Sequence, residues 1–255
     1  MNANRRASDI AQALALKSNY HPRSTWKPFH SVLVASVTLL FWLIIFPQAA
    51  SLVQSTLYAM DFWKWKSSNG NFFGFVQSVG LIVSIWFLAG RSHRLRKQNL
   101  QIGPARIGFL NHYILVVGSA AFMLVVSFIV RSVVPQFQLP TNSIEHASLP
   151  IWIALGALAA AVAEELIFRG FLLTSLTSAN LAFWPAALLV NTAWTALHWN
   201  YPLPAMLTVW LLGVFISLAL MRSGTLYTAI LVHLIFNGYS ALVTLIVYAL
   251  VRYAM

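Results

Sequence analysis

The clearest indication of the fold is the stretch of residues 150–176, PIWIALGALAAAVAEELIFRGFLLTSL. It is longer than the about 20 apolar residues that a helix needs to span a bilayer. Its middle nevertheless contains Glu164, Glu165 and Arg169. A charge at the bilayer centre costs about 2.5–3.5 kcal/mol on insertion scales, so charged groups there are functional candidates. The stretch therefore predicts a transmembrane helix that carries a polar site.

The composition of the whole chain also indicates a membrane protein. Of its 255 residues, 59% are hydrophobic and only 8% are charged, whereas soluble domains carry about 25% charged residues. So few charges cannot cover a water-facing surface, which excludes a soluble enzyme, a disordered chain and a secreted disulfide-rich module. The chain has no cysteine, which excludes disulfides, thiolate metal sites and a cysteine nucleophile.

Apolar stretches of similar length recur along the chain. They cover residues 32–53, 72–90, 109–130, 150–176, 182–199, 203–221 and 225–252. The last is long enough for about 40 Å of helix, so we expect it to break near Gly238 into two short spans. The sequence thus predicts an all-α polytopic membrane protein with about eight transmembrane helices, or seven if the last segment is one helix.

The net charge of +11 arises from 16 basic and 5 acidic residues. One basic group precedes the first span and contains Arg5, Arg6, Lys17, Arg23 and Lys27. A second lies between the second and third spans and contains Arg91, Arg94, Arg96, Lys97 and Arg106. If eight spans alternate, Arg222 and Arg252 lie on the same side as both groups, which we take to be cytoplasmic. We interpret these bases as topology signals that attract anionic lipid, and expect no nucleic-acid partner.

The two adjacent glutamates of the fourth span have different surroundings. Glu165 and Arg169 are four residues apart and share a helix face, where each can neutralise the other. Glu164 is rotated by about 100° from Glu165 and does not share that arginine. A cluster that only fixes helix packing needs one glutamate and one arginine. The second glutamate therefore indicates a general base or acid.

Three polar residues of later spans lie at a depth similar to that of Glu164. His198, His233 and Asn237 are placed about 12–21 Å from the same membrane face by a rise of 1.5 Å per residue. His233 and Asn237, at positions i and i+4, project from one helix face. Each alone is more simply a buried histidine satisfied by a carbonyl, or an asparagine that joins helices. Together with Glu164 they form one candidate catalytic site.

These residue types fit the activation of water better than a protein nucleophile. Glu164 would take the proton from water, and His198 would help to orient that water. His233 and Asn237 would donate hydrogen bonds to the oxyanion formed when water adds to a carbonyl. An alternative uses Glu164, His198 and His233 as ligands of a divalent metal such as zinc. We favour hydrolysis without a cofactor, because the sequence lacks the helical H-E-x-x-H pair.

Three motifs in this order resemble the CAAX protease and bacteriocin-processing family of intramembrane endopeptidases, which is related to the CAAX prenyl endopeptidase. They are Glu164-Glu165-x-x-x-Arg169, Trp194-x-x-x-His198 and His233-x-x-x-Asn237. The stretch from Trp210-Leu-Leu-Gly213 through Ser223-Gly224-Thr225-Leu226 is also similar, and the resemblance covers roughly residues 150–240. It differs at Trp194, where the motif usually has phenylalanine, and there we expect altered packing rather than lost activity.

The resemblance implies an eight-helix membrane fold. It also implies catalytic positions at Glu164, His198, His233 and Asn237, with Glu165 and Arg169 as a supporting pair. The expected substrate is a membrane-associated or lipidated protein. Two other functions remain open, a non-proteolytic membrane adaptor or immunity protein on the same fold and a proton-coupled transporter. The transporter lacks inverted repeats in the sequence.

The sequence also suggests how the chain is organised. Residues 1–30 form a basic cytoplasmic segment with a short surface helix ending at Leu16, residues 31–148 form N-terminal transmembrane helices, and residues 149–255 form the catalytic core. Short loops and the absence of retention signals favour a multi-pass protein of a bacterial plasma membrane.

Overall fold

The computed structural model describes residues 19–49, 62–133 and 150–253, and it is helical with no strand in these ranges. The all-α prediction is therefore confirmed. The helices are α1 (Pro28–Leu40, continued by the π-helical segment Phe41–Ile45), α2 (Phe62–Leu88), α3 (His93–Asn99), α4 (Phe109–Val133), α5 (Pro150–Glu164, continued by the π-helical segment Glu165–Leu173 and the α-helical end Thr174–Ser178), α6 (Phe183–Ala196), α7 (Leu203–Ser223) and α8 (Leu226–Tyr253). The predicted helix ending at Leu16 lies outside the described residues.

The helices have the length and surface of a multi-pass membrane protein. By length and composition, 5 helices of the described ranges can cross a membrane, or up to 6 if α2 and α3 are counted as one bent span. Large apolar side chains point outward, among them Phe128, Leu207 and Leu250, each at least 56% exposed. Such side chains are solvated by lipid tails.

The last helix corrects one prediction. α8 runs unbroken through Gly238 for 28 residues, so the expected break there is wrong. A single glycine weakens a helix by only about 1 kcal/mol relative to alanine and keeps its backbone hydrogen bonds. A methyl group at Gly238 would lie 3.8 Å from the side chain of Leu158 on α5, an ordinary van der Waals contact. About eight helices are indeed present in the described ranges, but one of them is the short α3.

An unbroken α8 also changes the expected arrangement of charges. Arg252 lies near the end of α8, whereas Arg222 lies just before its beginning. The backbone therefore carries these two positions to opposite ends of one helix. The prediction that both lie on the same side as the basic groups is wrong.

The core is arranged around α5, which contacts α1, α2, α6 and α8. Along α2 the contact is close, and the rings of Phe72 and Trp152 lie 4.9 Å apart. Gly224 ends α7 with a left-handed conformation at φ 72° and permits the tight turn into α8. This arrangement brings the polar centre of α5 next to the polar positions of α6 and α8.

Residues 19–25, which precede α1, are hydrogen-bonded to one end of the helix core. The Asn19 side chain donates to the carbonyl of Arg222 at 2.7 Å, and the Tyr20 hydroxyl donates to Thr174 at 3.0 Å. The Thr25 amide donates to Asn99 at the end of α3 at 2.8 Å. These bonds hold α1 and α3 against the ends of α5 and α7.

Candidate active site

The polar centre of α5 lies where the helix changes from α-helical to π-helical. Glu164 ends the α-helical part and Glu165 begins the π-helical segment. π-Helical turns are rare and frequently occur at functional sites. Every residue of this π-helical segment is buried, so its polar side chains must find partners within the protein.

Glu165 is fully buried between a guanidinium and an imidazole. Its Oε1 accepts a hydrogen bond from Nη1 of Arg169 at 3.1 Å. The same oxygen lies 2.8 Å from Nδ1 of His233, a residue of α8 that is 2% exposed. The predicted Glu165–Arg169 pair is thus confirmed, and α8 adds an imidazole to it.

Arg169 is also held from two other directions. Its Nη2 donates to Oδ1 of Asn191 at 3.1 Å, and the Asn191 amide donates to the carbonyl of Trp210 on α7 at 2.8 Å. The guanidinium lies 4.4 Å from the ring centroid of Trp194, which is a cation–π distance. Arg169 therefore joins α5, α6 and α7 at one point.

Glu164 has a different environment from its neighbour. Its Oε2 accepts a hydrogen bond from the indole nitrogen of Trp194 at 2.8 Å, and Nε2 of His233 lies 3.9 Å from the same oxygen. The side chain is 26% exposed, against 0% for Glu165. Glu164 is the carboxylate of this pair that solvent or a substrate can reach.

Glu164 faces a cavity of about 450 Å³ between α1, α2 and α5. The α5 side of the cavity includes four small residues, which leave room between the helices. The lining residues include Leu39, Leu43, Gly74, Gln77, Leu81, Gly156, Ala157, Ala160, Ala163, Glu164 and His198. The cavity is thus an apolar space with Glu164 and His198 among its few polar groups.

His198 follows the end of α6 and lines the same cavity as Glu164. Its Nδ1 lies 3.2 Å from the carbonyl of Trp194, and its ring packs edge-on against that of Tyr201 at 5.2 Å. Tyr201 lies in the connection between α6 and α7. The pKa of Tyr201 is raised, mainly by its partial burial and to a smaller extent by the negative charge of Glu164.

Asn237 lies one turn beyond His233 on α8, as the spacing indicates. Its amide donates to the carbonyl of Ala157 on α5 at 3.0 Å. Asn237 therefore contacts the same helix as the two glutamates, and in the described geometry one of its donors is engaged by backbone.

The described residues contain no group of side chains arranged to bind a metal ion. Across residues 19–49, 62–133 and 150–253, no three His, Cys, Asp or Glu side chains form a group that could hold a metal ion. The set Glu164, His198 and His233 thus does not fit a metal ion in this arrangement.

Residues 146–239 match the family model described as Type II CAAX prenyl endopeptidase Rce1-like. This part of the chain is therefore similar to that family. No curated protein and no solved structure matches the chain. The match contains all three motifs, and it confirms the resemblance to the CAAX protease family.

The structure brings together most of the residues that the sequence singled out. Direct contacts join Glu164, Glu165, Arg169 and His233. His198 shares the cavity with Glu164, and Asn237 binds the backbone of α5. Their catalytic roles remain predictions.

Sequence reasoning missed three contributions to this site. Asn191 lies outside the three motifs, yet it binds Arg169. Trp194 was expected to affect packing alone, yet its indole binds Glu164. Gly213 was quoted only as part of a motif, yet its missing side chain makes room for Asn191 and Arg169. Two features of the sequence could have indicated these contacts. Asn191 lies three residues before Trp194 and so shares its helix face, and the indole of Trp194 is a hydrogen-bond donor.

We expect Gly213→Ala to lower the free energy of unfolding by about 1–3 kcal/mol, a typical effect of overpacking. A methyl group at Gly213 would overlap Oδ1 of Asn191 and lie 2.7 Å from Nη2 of Arg169. Unfolding of the purified protein in bicelles by increasing SDS measures the effect.

Gly118→Ala on α4 is the matched control, because nothing lies within 4 Å of the position its methyl group would take. It should be neutral or slightly stabilising, since alanine is a better helix former. Equal stability of the two variants would contradict the tight fit at Gly213.

Proposed function

We propose that this protein is an intramembrane endopeptidase that hydrolyses a peptide bond of a membrane-associated or lipidated protein. The observation that carries the proposal is the contrast between the two glutamates. Glu165 is buried and neutralised by Arg169, whereas Glu164 is partly exposed at an apolar cavity. The match to a prenyl endopeptidase family supports peptide hydrolysis as the reaction.

In the proposed reaction Glu164 is the general base. It removes a proton from water as the water oxygen attacks the carbonyl carbon of the substrate, and His198 orients this water from the cavity side. The tetrahedral intermediate then collapses with cleavage of the C–N bond. Glu164 returns the proton to the leaving amine, so that no proton is gained or lost over the cycle.

His233 and Asn237 would stabilise the oxyanion of the intermediate. A carboxylate faces each ring nitrogen of His233, with Glu165 at 2.8 Å from Nδ1 and Glu164 at 3.9 Å from Nε2. Because Nδ1 is turned towards Glu165, Nε2 is the ring nitrogen of His233 that would donate to the oxyanion, and the Asn237 amide would supply a second donor.

The cavity suits a substrate held in the membrane. Its apolar lining accommodates aliphatic side chains or a lipid chain, and Glu164 with His198 supplies the polar groups. We further propose that the protein resides in a bacterial plasma membrane with its basic N-terminal segment in the cytoplasm. The basic groups before α1 and around α3 support this orientation.

Comparison of membrane-protein termini tests the proposal. Cells that express the wild-type chain should contain new protein termini that are missing from cells expressing Glu164→Ala at the same level. A terminus shared by replicate wild-type samples identifies substrate and bond together. Identical termini in both strains would favour the non-proteolytic adaptor instead.

A further inference from the structure

The carboxylate of Glu164 has one direct hydrogen-bond donor among the described residues. This donor is the indole N–H of Trp194, which lies 2.8 Å from Oε2. Trp194 is 1% exposed, so without Glu164 its N–H would be a buried donor that lacks this partner. A bond from a neutral N–H to a carboxylate in a low-dielectric site is among the stronger hydrogen bonds in proteins.

Several neighbours fix the plane of the Trp194 ring. The guanidinium of Arg169 lies 4.4 Å from its centroid. The rings of His198 and His233 pack edge-on against it at 5.4 and 5.5 Å. The indole therefore lies between both predicted histidines and the arginine of the supporting pair, and its N–H points at Glu164.

We propose that Trp194 is a positioning residue for Glu164, an inference that rests on the proposed function. The indole holds Oε2 in place, and Oε1 is then left to take the proton from water. Phenylalanine would fill much of the same space but has no N–H, so it could not restrain the carboxylate. Packing alone would require only the ring, whereas positioning requires the N–H.

This hydrogen bond can be observed without a substrate. The protein is labelled with ¹⁵N at the indole nitrogens of its 10 tryptophans and placed in detergent micelles. The Trp194 signal is assigned by its absence from the spectrum of Trp194→Phe. Trp194→Tyr, which also lacks this indole, serves the same purpose if Trp194→Phe does not fold. A hydrogen bond to a carboxylate shifts an indole proton downfield, so Glu164→Ala should move this signal upfield.

Asn237→Ala is the matched control for the spectrum. It removes another polar group of the site, one that binds Ala157 rather than the indole, so the Trp194 signal should stay in place. A signal that does not move in Glu164→Ala would overturn the proposed role of Trp194.

The effect of Trp194 on catalysis is measured as the rate at which the Glu164-dependent protein termini form. These are the termini found in wild-type cells and missing from Glu164→Ala cells. Trp194→Phe should form them about tenfold more slowly than the wild type, as expected for loss of one hydrogen bond to a charged group. With a peptide substrate the loss should fall on kcat rather than KM. Formation at the wild-type rate would overturn the positioning role even if the hydrogen bond is present.

The two proposals fail in different ways. Termini that form equally in the wild type and in Glu164→Ala would overturn the proposed function, whatever the indole signal shows. If the termini depend on Glu164 but the Trp194 indole signal is unchanged in Glu164→Ala, only the role of Trp194 is overturned.

Discussion

Glu164→Gln is expected to lower the rate of peptide-bond cleavage by about 100- to 10,000-fold, the contribution typical of a general base. Glutamine keeps the shape of the side chain and can still accept the indole hydrogen bond of Trp194, but its amide cannot take a proton from water. The partly exposed position of Glu164 means that the change removes no buried ion pair. The fold should therefore be retained while turnover is lost.

The measurement uses purified protein in nanodiscs and a peptide that spans the bond identified from the protein termini. Thermal unfolding of each variant establishes that it is folded. His112→Gln is the control, because His112 on α4 bonds Thr228 and does not line the cavity; it should cleave at the wild-type rate. Glu164→Gln with more than a tenth of wild-type activity would contradict the assignment of the base.

The same assay separates hydrolysis without a cofactor from the zinc-dependent alternative. If Glu164, His198 and His233 held zinc, a chelator should abolish cleavage and added zinc should restore it. If Glu164 acts on water directly, cleavage should be the same before and after dialysis against the chelator. We expect the second result, because no three His, Cys, Asp or Glu side chains of the described residues form a group that could hold a metal ion.

Local spacing predicted part of this site well. The Glu165–Arg169 pair follows from positions i and i+4 on one helix, and its partners confirm it. Helix rise placed Glu164 and His233 in the same part of the membrane, and Nε2 of His233 lies 3.9 Å from Oε2 of Glu164. Each of these inferences uses the geometry of a single helix, or of helices crossing the same bilayer, which a sequence contains.

Other features depend on tertiary contacts that no single helix specifies. That Asn191 faces Arg169, and that Gly213 leaves space for both, depends on the rotation of α6 and α7 relative to α5. The cavity requires α1 and α2, which lie outside the motifs. The break expected at Gly238 was wrong because a helix can keep its backbone hydrogen bonds through a single glycine, and α8 runs unbroken. Sequence patterns do not distinguish such a glycine from one at a kink.

Arg169→Met should lower the free energy of unfolding by about 3–5 kcal/mol, the usual result of removing one partner of a buried ion pair. Methionine has a similar length and fills most of the space, so the loss is mainly electrostatic. Glu165 would keep His233 but lose its arginine, and Oδ1 of Asn191 would lose its donor. SDS unfolding in bicelles provides the measurement, and Arg94→Met on the exposed face of α3 should stay within about 0.5 kcal/mol of the wild type.

The double variant Glu165→Gln/Arg169→Met identifies the origin of this loss. If the instability of Arg169→Met comes from a buried carboxylate without its cation, replacing that carboxylate by an amide should recover at least about 1 kcal/mol, because neutral groups are cheaper to bury. If it comes instead from the lost contacts of Arg169 with Asn191 and the Trp194 ring, the double variant should be no more stable than Arg169→Met. The fully buried position of Glu165 and its bond to Arg169 at 3.1 Å favour recovery, and additive losses would show that Arg169 serves packing between α5, α6 and α7 more than neutralisation.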